Sequence, residues 1–129
     1  MKVVDASALV ELLLETPRGR RVDTAIDEDE AVGPDLVHTE VASALARRLR
    51  AGDLGQSEAD RAIELLSVMP LDIAPARVLT NRAWELRDRV RVADGFYVAC
   101  AELFEVPLVT CDGRLARAPL PGVTIIHVN

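Results

Sequence analysis

Aromatic side chains are scarce: one Trp, one Tyr and two Phe amount to 3% of 129 residues. That disfavours a base-stacking platform of the usual single-strand-binding kind, which needs several exposed rings. Lysine is scarcer still, Lys2 being the only one among fifteen Lys and Arg. Excess positive charge is lacking too, since the formal net charge is −6. This is the wrong overall sign for a duplex binder, whose affinity comes mostly from cationic contacts to phosphates. No apolar run approaches the ~20 residues that a bilayer needs, so no membrane association is expected. Cys100 and Cys111 are too few and too far apart for a zinc cluster, and a disulfide is disfavoured in a reducing compartment. Both are read as small buried apolar residues. His38 and His127 are isolated, with no HExxH-like spacing, and are read as structural or surface residues. The first strand begins right after the initiator Met and leaves no room for a signal peptide, so a cytoplasmic location is expected.

What the chain does have is a core. Half its residues are hydrophobic and 28% are charged, a balance that fits one domain over residues 1–129. Val3-Val4 forms a short β-branched strand that stops at Asp5. Residues 7–15 then read as an apolar helix, either sandwiched in the core or partly covered by a partner, with Glu11 and Glu15, four apart, as its solvent stripe. Pro17 opens a polar helix to about Asp27, and Asp27 to Glu30 form a solvated connection. Ala31 to Pro34 is a second strand. A helix from about Leu36 to Arg50 follows, with Val37, Val41, Ala44, Leu45 and Leu49 as its core stripe and Glu40 at the edge of that stripe. Ser57 with Asp60 resembles a capping box for a helix whose stripe is Ala59, Ala62, Ile63 and Leu66. Leu71 to Ile73 is a third strand, and a helix runs from Pro75 to Val90. The helix opening at Asp94 is apolar almost all round through Phe104, which places it deep in the domain. Pro107 to Thr110 is a fourth strand ending at Asp112. A helical turn around Leu115 leads to a last strand, Val123 to Val128.

Strands alternating with helices imply an α/β fold with a mainly parallel sheet and helices on both faces. Right-handed crossovers give a five-stranded order of 3-2-1-4-5, with strands 1 and 4 adjacent at the switch point. Asp5 and Asp112 then lie side by side at the end of the sheet where ligands bind. Each candidate acid has a structural explanation alone: Asp94 as an N-cap, Asp112 as a turn former, Glu40 as a first-turn residue favoured by the helix dipole. Four at one open end are harder to explain structurally. Clustered carboxylates repel and take up protons unless a cation compensates. Mg²⁺ or Mn²⁺ would do so, since both prefer oxygen ligands and leave room for a substrate phosphate. Arginines fall into three groups, Arg18/Arg20/Arg21, Arg47/Arg48/Arg50 and Arg87/Arg89/Arg91. They suit either phosphate contacts or a solvated face balanced by nearby acids.

Val3-Val4-Asp5-Ala6-Ser7-Ala8-Leu9, Glu40-Val41-Ala42-Ser43-Ala44-Leu45, Asp94-Gly95-Phe96-Tyr97-Val98-Ala99 and Leu108-Val109-Thr110-Cys111-Asp112 occur in that order. Together they resemble the PIN-domain ribonucleases and, in size and layout, the VapC-type toxins of bacterial toxin–antitoxin pairs. The resemblance implies a single PIN-like domain in which Asp5, Glu40, Asp94 and Asp112 are catalytic and bind Mg²⁺ or Mn²⁺. Ser7 and Thr110 match positions that support the acids. It further implies RNA as substrate, a homodimer, and a cognate antitoxin whose C-terminal segment blocks the site. Ser43 stands where the family commonly has Asn, a difference that bears on local substrate contacts more than on catalysis.

The resemblance also leaves open a PIN-like RNA-processing nuclease outside any toxin–antitoxin pair, or a non-catalytic PIN-like interaction module. Two other classes place acids at strand ends and are disfavoured. A haloacid-dehalogenase phosphatase wants a second Asp where this chain has Ser7. A phosphotransfer receiver wants paired early acids and a late Lys, which Lys2 cannot supply. No P-loop, Ser-His-Asp pattern or dinucleotide fingerprint competes.

Overall fold

A computed structural model describes residues 1–129. Its strands are β1 (Lys2–Val4), β2 (Ala31–Pro34), β3 (Leu71–Ala74), β4 (Leu108–Thr110) and β5 (Ile125–His127). They form one parallel sheet in the order β3-β2-β1-β4-β5, the order expected from the sequence. Val3 pairs with Val32 on one side and Leu108 on the other, and Val4 pairs with Val109. These central residues are fully buried, which explains the continuous β-branched character of such short strands.

The helices are α1 (Ala6–Leu13), α2 (Pro17–Ile26), α3 (Val37–Arg50), α4 (Gln56–Val68), α5 (Ala76–Glu85), α6 (Val92–Phe104) and α7 (Gly113–Ala116). The sheet grows outward through β2 and β3 and then returns to β4. Right-handed crossovers therefore put α1–α4 on one face and α5–α6 on the other. α6 lies against β1, β2 and β4 with α5 outside it, while α1 is enclosed by α2, α3 and α4. A cluster of 30 buried residues joins both layers through the sheet.

Several local expectations shift. The capping group of α4 is not Ser57 with Asp60: the backbone N–H of Gly55 donates to Glu58 Oε1 at 3.4 Å, two residues earlier. Ile63 lies outside the buried stripe and is exposed, while Ala59, Ala62 and Leu66 are buried. α5 stops at Glu85 rather than Val90, because the N–H groups of Leu86, Arg87 and Arg89 bond to carbonyls three residues back. That tighter turn carries the chain to Arg91, the N-cap of α6. Gly95 lets α6 approach α5, since a Cβ there would lie 3.0 Å from the Ala83 carbonyl oxygen. The far end of α6 emerges from the core, leaving Leu103 and Phe104 exposed. No helix is long and apolar enough to cross a membrane. Asp27 to Glu30 are exposed, as expected, and Asp29 pairs with Lys2 at 2.9 Å. His38 and His127 are exposed, Cys100 is buried and Cys111 half-buried.

Candidate active site

β1 ends at Val4, and the next residue, Asp5, is 3% exposed and serves as N-cap of α1. Asp5 Oδ1 accepts from Ser7 Oγ at 2.6 Å and from the Ala8 backbone N–H at 3.0 Å. Asp5 Oδ2 accepts from Thr110 Oγ1 at the end of β4. Ser7 Oγ also accepts from the Cys111 N–H at 3.0 Å, and Thr110 Oγ1 from the Asp112 N–H at 3.0 Å. Ser7 and Thr110 thus lace the ends of the two central strands together and hold the Asp5 carboxylate in one orientation. Asp112 follows at once and caps the short α7 by accepting from the Arg114 N–H at 2.9 Å.

The other two acids arrive from opposite layers. Glu40 lies in the first turn of α3, and Asp94 in the first turn of α6 rather than at its N-cap. All four face one cavity of about 630 Å³ at the C-terminal ends of β1 and β4. No three of them converge as a ready-made ligand set. Arg91 stands among them, with Nε 3.1 Å from Asp94 Oδ2 and Nη2 4.0 Å from Asp112 Oδ2. Cations from all three arginine groups reach this cavity: Arg18, Arg47, Arg48 and Arg91.

Two features were not legible in the sequence. Glu11, expected on a solvent stripe with Glu15, is buried in the cavity wall between Arg18 and Arg48, while Glu15 is exposed. Tyr97, grouped with the apolar residues of α6, is 1% exposed and turns its hydroxyl to this site, where the oxygen has no hydrogen-bond partner. The i, i+3 spacing from Asp94 puts the two on one helix face and was the available signal. Of the two settings the sequence leaves open for the first helix, the structure shows the core one, with Leu9, Val10 and Leu13 buried under the chain's own α2–α4.

Electrostatics follow from this burial. Desolvation pushes Asp5 up to about 6, against the lowering effect of its Ser7, Thr110 and Ala8 hydrogen bonds, and the Asp94 charge adds to the rise. Burial, and then the Glu40 carboxylate, hold the Tyr97 phenol protonated far above its ordinary value. A pH effect follows for the metal-free protein. Between pH 4 and 6 folded Asp5 keeps a proton that the unfolded chain has released, so stability falls as pH rises through this window. The full loss, present above the folded value, is on the order of 2–3 kcal/mol. Asp29, lowered chiefly by its hydrogen bond to Lys2, acts oppositely but below that window. Denaturant melts in EDTA should show wild type losing ground against Asp5→Asn from pH 4 to 7. A constant difference between them would contradict the buried-charge account.

A PIN domain model matches residues 2–120. The chain is 38% identical over 118 residues to Ribonuclease VapC12 of Mycobacterium tuberculosis, covering 92% of each chain. It is 40% identical over 117 residues to Ribonuclease VapC3 of the same organism, covering 90% of this chain and 85% of that one. The chain belongs to the PIN-domain family, among proteins of VapC type. In fold, this PIN domain resembles the crystal structure of PAE2754 from Pyrobaculum aerophilum. The TM-score is 0.68 at 22% identity, covering 98% of this chain and 88% of the other.

The PIN domain's cavity suits a hard divalent cation. Its acids present only oxygen donors, the kind Mg²⁺ and Mn²⁺ prefer. The unpartnered Tyr97 hydroxyl adds a buried polar atom with a hydrogen bond still to make.

Proposed function

We propose that this PIN domain is a metal-dependent endoribonuclease toxin, acting in the cytoplasm and held in check by a separate antitoxin. The observation that carries this reading is the gathering of Asp5, Glu40, Asp94 and Asp112 on one cavity at the carboxyl ends of β1 and β4. The curated relatives named as VapC ribonucleases support the choice of RNA. Asp5 and Asp94 would hold Mg²⁺ or Mn²⁺ most directly, with Glu40 and Asp112 completing the cluster or orienting the attacking water. The bound ion would supply Lewis-acid polarisation of the phosphate and a water of lowered pKa.

The chain's own residues do the remaining work. Ser7 and Thr110 lock the Asp5 carboxylate, so the reaction need not wait for that group to reorient. Arg91 is 65% exposed and free to exchange Asp94 and Asp112 for a phosphate oxygen of the RNA. Tyr97 Oη can donate to Glu40 or to a water held between the acids. A homodimer belongs to the same proposal. The exposed Val78 and Trp84 on α5 and Leu103 and Phe104 on α6 supply apolar surface for it.

The test is cleavage of RNA by the purified protein with Mn²⁺ or Mg²⁺, and its loss in EDTA. The same ions should raise the melting temperature. A site at hundredfold excess over Kd stabilises the fold by about 2.7 kcal/mol. A protein that neither cuts RNA nor shifts its melting temperature with either ion would refute the proposal.

A further inference from the structure

Glu11 is a buried carboxylate in the wall of the same cavity that the four-acid site leaves unused. Its side chain is 11% exposed. Arg48 Nη1 lies 3.3 Å from Glu11 Oε2, and Arg18 Nη1 lies 3.8 Å from Glu11 Oε1. The two guanidiniums come from different helices, α2 and α3, and remain 44% and 40% exposed. Balancing Glu11 takes one cation, so the trio keeps one net positive charge facing the cavity. Each guanidinium also carries more N–H donors than a single carboxylate contact uses.

Placement is specific. α2 sits hard on the α1 backbone at Gly19, next to Arg18. Arg18 also lines the cavity together with Cys111, just past the end of β4. It therefore shares this wall with Glu11, its ion-pair partner, and with the residue beside Asp112. A structural ion pair at this exposure contributes little, and ordering two long side chains costs entropy. A second arginine on an already paired carboxylate is better explained by an anionic ligand.

We infer that Arg18 and Arg48, held by Glu11, form a subsite for one RNA phosphate beside the scissile linkage, with Glu11 as its positioning residue. This rests on the ribonuclease reading above. The phosphate bridges the two guanidiniums with charge-assisted hydrogen bonds, setting the register of the strand across the acids.

Binding is measured by fluorescence anisotropy on a labelled oligoribonucleotide that wild type cuts, with Asp5→Asn blocking cleavage throughout. Arg18→Ala and Arg48→Ala should each weaken binding by roughly tenfold. Each should also flatten the slope of log affinity against log salt by about 0.7, the value for one single-strand phosphate. The double variant should lose less than the sum, because both groups serve the same phosphate. Glu11→Gln separates positioning from charge. Removing a negative charge would tighten RNA binding on electrostatics alone, whereas loss of positioning weakens it and, with Asp5 intact, raises KM while kcat stays within about twofold. Thermal melts confirm that each variant folds.

Arg variants with wild-type affinity and slope would overturn the subsite while the nuclease reading stands. Tighter binding by Glu11→Gln would overturn the positioning role. A wild type that cuts no RNA with Mn²⁺ would remove both readings.

Discussion

Replacing Asp5 with Asn should lower RNA cleavage by at least about 10²–10³-fold, the scale on which one group stabilising developing charge acts, and should leave the fold intact. The two side chains have the same shape. The Asn oxygen can still accept from Ser7 Oγ and the Ala8 N–H, as Asp5 Oδ1 does. Thr110 now donates to Asp5 Oδ2, but a hydroxyl has two lone pairs. It can turn and accept from the new amide while still accepting from the Asp112 N–H. What disappears is the charge, and with it one ligand of the proposed cation site.

In EDTA at neutral pH the same substitution should stabilise the protein, because a carboxylate raised to about 6 by desolvation is buried there at a cost. Opposite signs in activity and stability are the signature of a functional site that burdens the fold. Cleavage assays beside denaturant melts read both. Wild-type cutting by Asp5→Asn would end the four-acid account, and collapse of the fold would make Asp5 a structural residue. Asp94→Asn, at a position that caps no helix, supplies a second variant against the latter outcome.

The strand order and the acids were readable for the same reason. Short β-branched runs alternate with helical segments, so right-handed crossovers leave few ways to order the sheet, and Asp5 and Asp112 each end an apolar run that must be a central strand. Glu40 and Asp94 were harder, since first-turn acids are common; only their meeting at one cavity distinguishes them. Glu11 was misread because its environment is made by other elements. On α1 alone it pairs with Glu15 as an exposed stripe, and only the docking of α2 and α3 brings Arg18 and Arg48 onto it. Tyr97 failed similarly: an apolar helix makes a phenol look like core, and its hydroxyl matters only once α6 lies under the acids. Arg91 is the N-cap of α6 and pairs with Asp94 at i+3. Periodicity does not report a cation placed among carboxylates.

Gly19→Ala should destabilise the protein by about 2–4 kcal/mol, the upper range of overpacking costs and beyond, although helix propensity alone favours Ala by roughly 1 kcal/mol. A Cβ at Gly19 would lie 2.0 Å from the Glu11 carbonyl oxygen, 2.6 Å from its carbon and 3.0 Å from the Leu12 nitrogen. These are backbone atoms of α1, so no rotamer change relieves the overlap. The same carbonyl accepts from the Thr16 N–H at 3.3 Å, and Thr16 Oγ1 accepts from the Gly19 N–H at 2.9 Å. Both helices are thus tied together where the methyl must enter. α2 would have to lift away, loosening the buried Val22 and Ile26 and drawing Arg18 from Glu11. A native stability of 5–15 kcal/mol makes this a large fraction of the total. A denaturant melt decides between the two effects by sign alone. A more stable Gly19→Ala would mean that propensity wins and that α1 and α2 are not in the close contact described.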